Sequence, residues 1–328
     1  MQRVGSLTVV PQLLHGLGID PNKVAMSSGI DLTILRNPEN FIPFMLMGRL
    51  MKACSRTTGC EHFGLLVGKT GSLATLGILG RLMQNAHTVG QAIRDLLEHQ
   101  HCDVRGALPY LVVSEGTANF GHAVYQSGIE GSTQIYDDAI TQLFNFIVEL
   151  SGIRPLEISF PHMQPADVVT YERYFQVKLR FDEDEAKVVF PTELLDLPVR
   201  GANPALRLIL ESAIVARRLT TRPCLRDQVL RHLRIPVNSR ISGLDDTAKR
   251  MLMQPRTLNR RLREKGTSFR QLRNECRLEV ARQLLQNTEL SITHIGMILD
   301  YADPAVFSHA LRRLSGSSPS VLRAILQQ

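Results

Sequence analysis

Two stretches of the C-terminal third repeat one another, and no other feature of the sequence limits the fold as strongly. GTSFRQLR (266–273) and GSSPSVLR (316–323) carry Gly, a small hydroxyl residue, Ser, then Leu-Arg at the same offsets, with the glycines 50 residues apart. Upstream of each copy lie a small residue (Ala248, Gly296), an apolar one three later (Met251, Leu299) and a polar turn. A second segment follows with an apolar pair four apart, Leu258 with Leu262 and Phe307 with Leu311. That spacing puts both members on one helix face. Two short helices joined by a tight turn, the second basic, make the helix-turn-helix pattern, and here it occurs twice. A long helix predicted over 268–286 joins the copies rigidly.

Charge follows the same division. Residues 201–328 hold 22 Lys or Arg against 10 Asp or Glu, a net +12, whereas the first 200 residues are net −5. All but two of those 22 cations are Arg, the side chain suited to phosphates and guanine edges. A basic third on an acidic body is the footprint of a part that meets a polyanion and a part that does not. In the first unit Pro255 opens a helix where its missing N–H costs nothing. Leu258 and Leu262 then face the core and leave Arg256, Asn259, Arg260 and Arg263 outward. Arg pairs with guanine O6/N7 and Asn with adenine N6/N7. In the second unit Asp303 caps and Pro304 opens the helix, Ala305, Ser308 and His309 face outward, and Arg312 and Arg313 stand where phosphates would lie.

The first 200 residues read as an α+β body. A helical pattern runs over 41–67 with Met47, Leu50, Met51 and Cys54 three and four apart, and another over 88–99. PYLVVSEGTANFGHAVYQ reads as two short strands turning at Ser114–Gly116. A strong amphipathic helix covers 134–150 and ends at Ser151 and Gly152. PLEISFPH is a further strand, PADVVTYERYF a helix opened by Pro165, and KLRFDEDEAKVVFP a hairpin whose run Asp182–Glu185 is a solvated turn. A helix through 204–219 leads out of the body, as a linker with a dimer contact or as a helix packed on its own domain.

Signals for other chemistry are weak. Gly64-Leu-Leu-Val-Gly-Lys-Thr70 is one residue short of a phosphate-binding P-loop and reads as a chance match. There is no G-x-S-x-G nucleophile elbow. Cys54, Cys60 and His62, and separately His99, His101 and Cys102, lack the paired spacing of a zinc site. Tyr125, Tyr136, Phe144 and Phe146 read as core, with an effector pocket as the alternative. Five cysteines (54, 60, 102, 224, 276) without a paired framework fit a reducing compartment. No run of about 18 apolar residues marks a membrane span, and the first 20 residues lack the pattern of a secretion signal. The expectation is a cytoplasmic protein, not an enzyme, with no catalytic residues, metal or cofactor.

PRTLNRRLREKGTSFRQLRNECRLEVARQLL and LSITHIGMILDYADPAVFSHALRRLSGSSPSVLR together resemble the double helix-turn-helix of the AraC family of bacterial transcription regulators, over roughly residues 235–325. Leu252 and Asp300 stand at turn positions where that family usually has Gly, and Leu311 and Leu322 replace aromatics. More loosely, TLGILGRLMQNAHTVGQAIRDLLEHQ and the segment from ISFPH to LDLPV resemble the family's arabinose-binding and dimerisation type of N-terminal domain. The resemblance implies base-reading positions at Arg256, Asn259, Arg260, Ala305, Ser308 and His309, and phosphate contacts at Arg263, Arg312 and Arg313. It implies an effector-binding and dimerisation domain over 1–200, a linker over 201–234 and an all-α DNA-binding domain over 235–328 with two helix-turn-helix units. The expected partners are double-stranded promoter DNA, a second copy of the chain, RNA polymerase and a small-molecule effector. The expected role is activation; the alternative is an effector-independent DNA-binding protein whose body only oligomerises.

Overall fold

The computed structural model describes residues 1–99, 104, 106–219, 229, 243–251, 253–299, 301 and 303–327. His101, Cys102, Cys224, Leu252, Asp300 and most of 220–242 lie outside the described residues. The chain folds into an N-terminal mixed α/β domain and a mostly helical C-terminal domain containing helix-turn-helix-type helices. Among the described residues no helix is long and apolar enough to cross a membrane.

The N-terminal part opens with a two-residue strand β1 (Gln2–Arg3) and helices α1 (Val10–Gly16) and α2 (Pro21–Ser28). β2 (Phe41–Ile42) pairs with β1, and α3 (Phe44–Thr58) and α4 (Phe63–Lys69) follow. The single helix expected over 41–67 is thus broken: Gly59 takes φ 67°, a left-handed geometry that ends α3. Next come α5 (Ile78–Gln84), α6 (Val89–His99), β3 (Ala107–Ser114), β4 (Thr117–Val124) and α7 (Ser132–Ser151). β3 and β4 form the expected hairpin, with Glu115 and Gly116 both at positive φ in its turn. Gly152 ends α7 in the left-handed region, as its position in the sequence implies.

α7 is the central helix, and its partner α4 lies unusually close. A Cβ on Gly64 would sit 2.2 Å from the Gln134 carbonyl oxygen, and one on Gly68 2.6 Å from the Thr141 side chain. These glycines therefore let two helix backbones touch, which accounts for the P-loop-like spacing without any phosphate. The Gln134 amide seals the contact, accepting from the Gly64 N–H at 2.7 Å and donating to the Glu61 carbonyl at 2.7 Å.

The rest of the sheet corrects the sequence reading. β5 (Glu157–Ser159), α8 (Val168–Phe175), β6 (Lys178–Arg180) and β7 (Ala186–Pro191) complete it in the order β3-β4-β7-β5-β6. β6 and β7 do not form a hairpin: β5 lies between them, antiparallel to β7 and parallel to β6. α8 is the crossover that a parallel β5–β6 pair requires. It begins later than expected, capped by Asp167 rather than opened by Pro165, with the Thr170 N–H 3.2 Å from the Asp167 carboxylate. The acidic run Asp182–Glu185 connects β6 to β7 over the end of β5, and Glu185 is buried, not solvated.

Phe120, Val188, Phe190, Phe144, Phe146 and Ile147 pack between the sheet and α7. Phe144 and Phe146 are thus core residues, while Tyr125 and Tyr136 are half-buried and hydrogen-bonded to the backbone N–H groups of Gly106 and Val124. α9 (Pro204–Leu219) leaves the body, but its first half is packed on it. Leu210 and Ile214 meet Leu82 of α5, and Arg207 forms a buried bidentate pair with Asp95 of α6 at 2.7 and 3.0 Å.

The C-terminal domain consists of α10 (Leu244–Arg250), α11 (Pro255–Glu264), the long α12 (Phe269–Asn287), α13 (Ile292–Ile298), α14 (Pro304–Ser315) and α15 (Pro319–Leu326). Among its described residues there are two separate cores. Ala248, Leu258, Leu262, Leu272 and Cys276 form the first. The second, with Leu284, Ile295, Phe307 and Leu311, is continuous with Tyr110 and Val112 on the outer face of β3. The second helix pair is therefore docked on the N-terminal sheet. The Asn287 amide donates to the Tyr125 carbonyl at 2.9 Å, and the His294 imidazole meets the Glu185 carboxylate.

Candidate nucleic-acid interface

The repeat seen in the sequence is a repeat of caps and turns. Gly266 and Gly316 follow α11 and α14 at φ 71° and 81°, where a side chain would be strained. Two residues later Ser268 and Ser318 cap the next helix, accepting from the Gln271 N–H at 3.2 Å and the Val321 N–H at 3.5 Å. Leu272 and Leu322, six residues after each glycine, are buried. The turns upstream match as well. The Met253 N–H donates to the Ala248 carbonyl at 2.8 Å, and the Tyr301 N–H to the Gly296 carbonyl at 3.0 Å, five residues back in both.

These turns present α11 and α14 with one face buried and one free. Leu258 and Leu262 of α11 are fully buried, as are Phe307 and Leu311 of α14. Arg256, Arg260 and Arg263 are exposed and Asn259 is half-buried, all on α11. On α14, Ala305, His309, Arg312 and Arg313 are exposed and Ser308 is half-buried. The nine residues singled out in the sequence thus fall into two groups, one per helix, with α12 between the helices. Pro255 and Pro304 open the two helices, and the Asp303 carboxylate accepts from the Ala305 N–H at 2.6 Å.

The Arg260 Nε lies 3.9 Å from Glu264 one turn on, a loose exposed pair that leaves the guanidinium available. The second turn is braced by Arg277 of α12, whose guanidinium lies 4.7 Å from the centre of the Tyr301 ring. Three surface residues escaped the sequence reading. Arg261 and Lys265 are exposed and extend the basic surface of α11, and Val306 is exposed on α14 beside Ala305. An exposed apolar residue on a polar helix face was the available signal for Val306.

The N-terminal cysteines make no comparable site. Cys54 is buried among apolar side chains, which pushes its thiol up to about 12, and burial also raises Cys60. Among the described residues no group of three or more His, Cys, Asp or Glu is placed to hold a metal ion.

Known proteins resemble both parts of the chain. Residues 18–199 match the family model for the arabinose-binding domain of AraC transcription regulators, and residues 247–325 match a helix-turn-helix domain model. The chain is 24% identical over 302 residues to the ornithine utilization regulator of Pseudomonas aeruginosa, covering 88% of this chain and 86% of that protein. It is 25% identical over 329 residues to the HTH-type transcriptional regulator VirS of Mycobacterium tuberculosis, covering 98% and 96%. The crystal structure of the transcriptional regulator CdpR from Pseudomonas aeruginosa is similar over 92% of this chain and 96% of that one, with 21% identity and a TM-score of 0.44. With more than half its length matched by the N-terminal family model and a helix-turn-helix domain behind it, the chain belongs to the AraC family of DNA-binding transcription regulators.

Proposed function

We propose that α11 and α14 are the recognition helices of two helix-turn-helix units that enter successive major-groove faces of promoter DNA. The observation that carries this reading is the matched pair of turns and caps, which leaves the same face of each helix free. Arg256, Asn259 and Arg260, then Ala305, Ser308 and His309, read base edges, with Val306 suited to a thymine methyl. Arg263, Arg312 and Arg313 contact phosphates and supply sequence-independent affinity. Residues 1–200 form the regulatory and dimerisation domain, 201–234 the linker and 235–328 the DNA-binding domain. The chain acts as an activator through RNA polymerase, has no catalytic activity of its own, and answers a small molecule held by the N-terminal domain. The exposed Leu208 and Ile209 on α9 supply apolar surface for the dimer contact.

Two substitutions separate reading from anchoring. Arg260→Ala is expected to cost about 1–3 kcal/mol of discrimination at one position of the site. Arg313→Ala is expected to weaken all sequences alike and to reduce the slope of log affinity against log salt by about one contact. Binding curves on a specific site and its point mutants, at two salt concentrations, measure both. Unchanged site preference in the Arg260 variant, or a loss confined to one sequence in the Arg313 variant, contradicts the assignment.

A further inference from the structure

An inner cavity of about 80 Å³ lies between α7, β4, α6 and β1. Protein cores rarely leave room for more than a water molecule. Set against an apolar cavity of about 150 Å³ that holds benzene, this one has room for roughly three or four non-hydrogen atoms. Phe44, Leu96, Leu143 and Phe146 make its walls mainly apolar. Two polar side chains on these walls lack a full set of partners. His122, 7% exposed, lies on the α7-facing side of β4, two residues from the core residue Phe120. No hydrogen bond reaches its imidazole from the described residues. Asp138 of α7, 3% exposed, accepts from the Gln142 amide with one oxygen, and its other oxygen has no partner among the described residues.

The charge on the walls selects what completes these two groups. Burial pushes His122 down to about 4 and, with the neighbouring Asp137 charge, pushes the Asp138 carboxyl up to about 7. Between those values both are uncharged, an imidazole with one donor and one acceptor and a carboxyl with a proton to give. The Arg3 guanidinium also lines the cavity but is already held by the Thr75 carbonyl at 2.6 Å and by Glu39. Its charge opposes a bound ammonium, and the buried Asp137 carboxylate opposes a bound anion. A hydroxyl carries no charge, accepts one hydrogen bond and donates another, and so suits both partners at once.

We propose that this cavity binds a small uncharged aliphatic alcohol, its hydroxyl facing His122 and Asp138 and its chain against Phe44, Leu96 and Phe146. The next residue of β4, Ala123, packs on the opposite face of the sheet in the core of the second helix pair. A ligand on the inner face of β4 thus lies one residue from the surface on which that pair is docked. By linkage it changes DNA affinity by the factor by which DNA changes its own. This inference rests on the reading that the N-terminal domain answers a small molecule.

The test is saturation-transfer NMR of the full-length protein at about pH 6, where both groups are uncharged, with 1-propanol, propylamine and propionate as probes. Saturable transfer is expected for the alcohol alone. Ala139→Leu, which fills the cavity from α7, should abolish it. His122→Leu keeps most of the space but removes the polar contact, and should weaken binding at least about tenfold, a change of about 1.4 kcal/mol. It should melt no lower than the parent, since it breaks no hydrogen bond among the described residues. Equal transfer to propylamine or propionate, or equal binding by either variant, would overturn the site. So would the absence of any transfer to the alcohol, which would leave the cavity to water. A melting shift from a charged metabolite, without alcohol binding, would keep the effector reading and overturn this cavity as its location.

Discussion

Arg207→Ala is expected to destabilise the protein by about 3–5 kcal/mol, because it leaves a buried carboxylate without its counter-charge. Asp95 is almost wholly buried on α6, and burial raises it above the usual carboxylate range despite the bidentate Arg207 guanidinium. The guanidinium is also nearly buried and is further held by Glu211 at 2.9 Å. The pair therefore fixes where α9 leaves the body more than it adds net stability, since desolvation of both ions offsets much of their attraction. A second variant separates these two effects. Replacing both partners with apolar residues, Asp95→Leu with Arg207→Met, should recover most of the loss or exceed the parent. Urea unfolding of the parent, the single variant and the double variant measures this. A single variant within about 0.5 kcal/mol of the parent would show that α9 is not held by the pair.

Asp138→Asn is expected to stabilise the protein above neutral pH, by roughly 1–4 kcal/mol at pH 8. Asp138 lies in the middle of α7, 3% exposed, with one oxygen 2.8 Å from the Gln142 amide. It borders an inner cavity of about 80 Å³ with Phe44, Leu96 and Phe146. Burial, aided by the neighbouring Asp137 charge, pushes its carboxyl up to about 7, against the opposing Gln142 hydrogen bond. The unfolded chain releases this proton near pH 3.8, the usual value. Between about pH 4 and 7 the folded state thus binds the extra proton, and stability falls as pH rises through that window. Above 7 the loss is complete. The Asn side chain keeps the shape and the Gln142 contact without a titrating proton, so its stability should be flatter across the window. Chemical unfolding of both proteins at pH 5, 6, 7 and 8 gives the slopes. Parallel slopes would contradict a protonated Asp138.

Local pattern exposed the helices of the C-terminal domain because each rule agrees there. Apolar pairs, opening prolines, capping serines and left-handed glycines fall in the same order in both copies, with α14 one residue longer before its glycine than α11, so α11, α12 and α14 follow from short-range chemistry. The β3–β4 hairpin was legible for the same reason, since its turn is local. Strand order was not. β6 and β7 are neighbours in the chain and look like a hairpin, but β5 inserts between them, and nothing within 178–191 encodes that insertion. Gly59 broke the helix expected over 41–67 although the apolar spacing continues past it. The spacing at Gly64 and Gly68 looked like a ligand loop; its meaning appears only when α7 is laid against α4. The docking of Ile295 and Leu284 on Tyr110 joins residues more than 150 positions apart. It leaves no periodic trace.

Two recognition helices of one chain that read bases together leave a distinct mark on DNA. Footprinting of the full-length protein on fragments of its own genome, at two salt concentrations, tests it most directly. Discrete protected sites of about two helical turns per subunit that share a motif are expected, with contacts on successive major-groove faces. Arg260→Ala and His309→Ala are expected to disturb different halves of that motif. Diffuse protection that fades with salt and shares no motif, or a footprint of a single turn unaffected by His309→Ala, would contradict it.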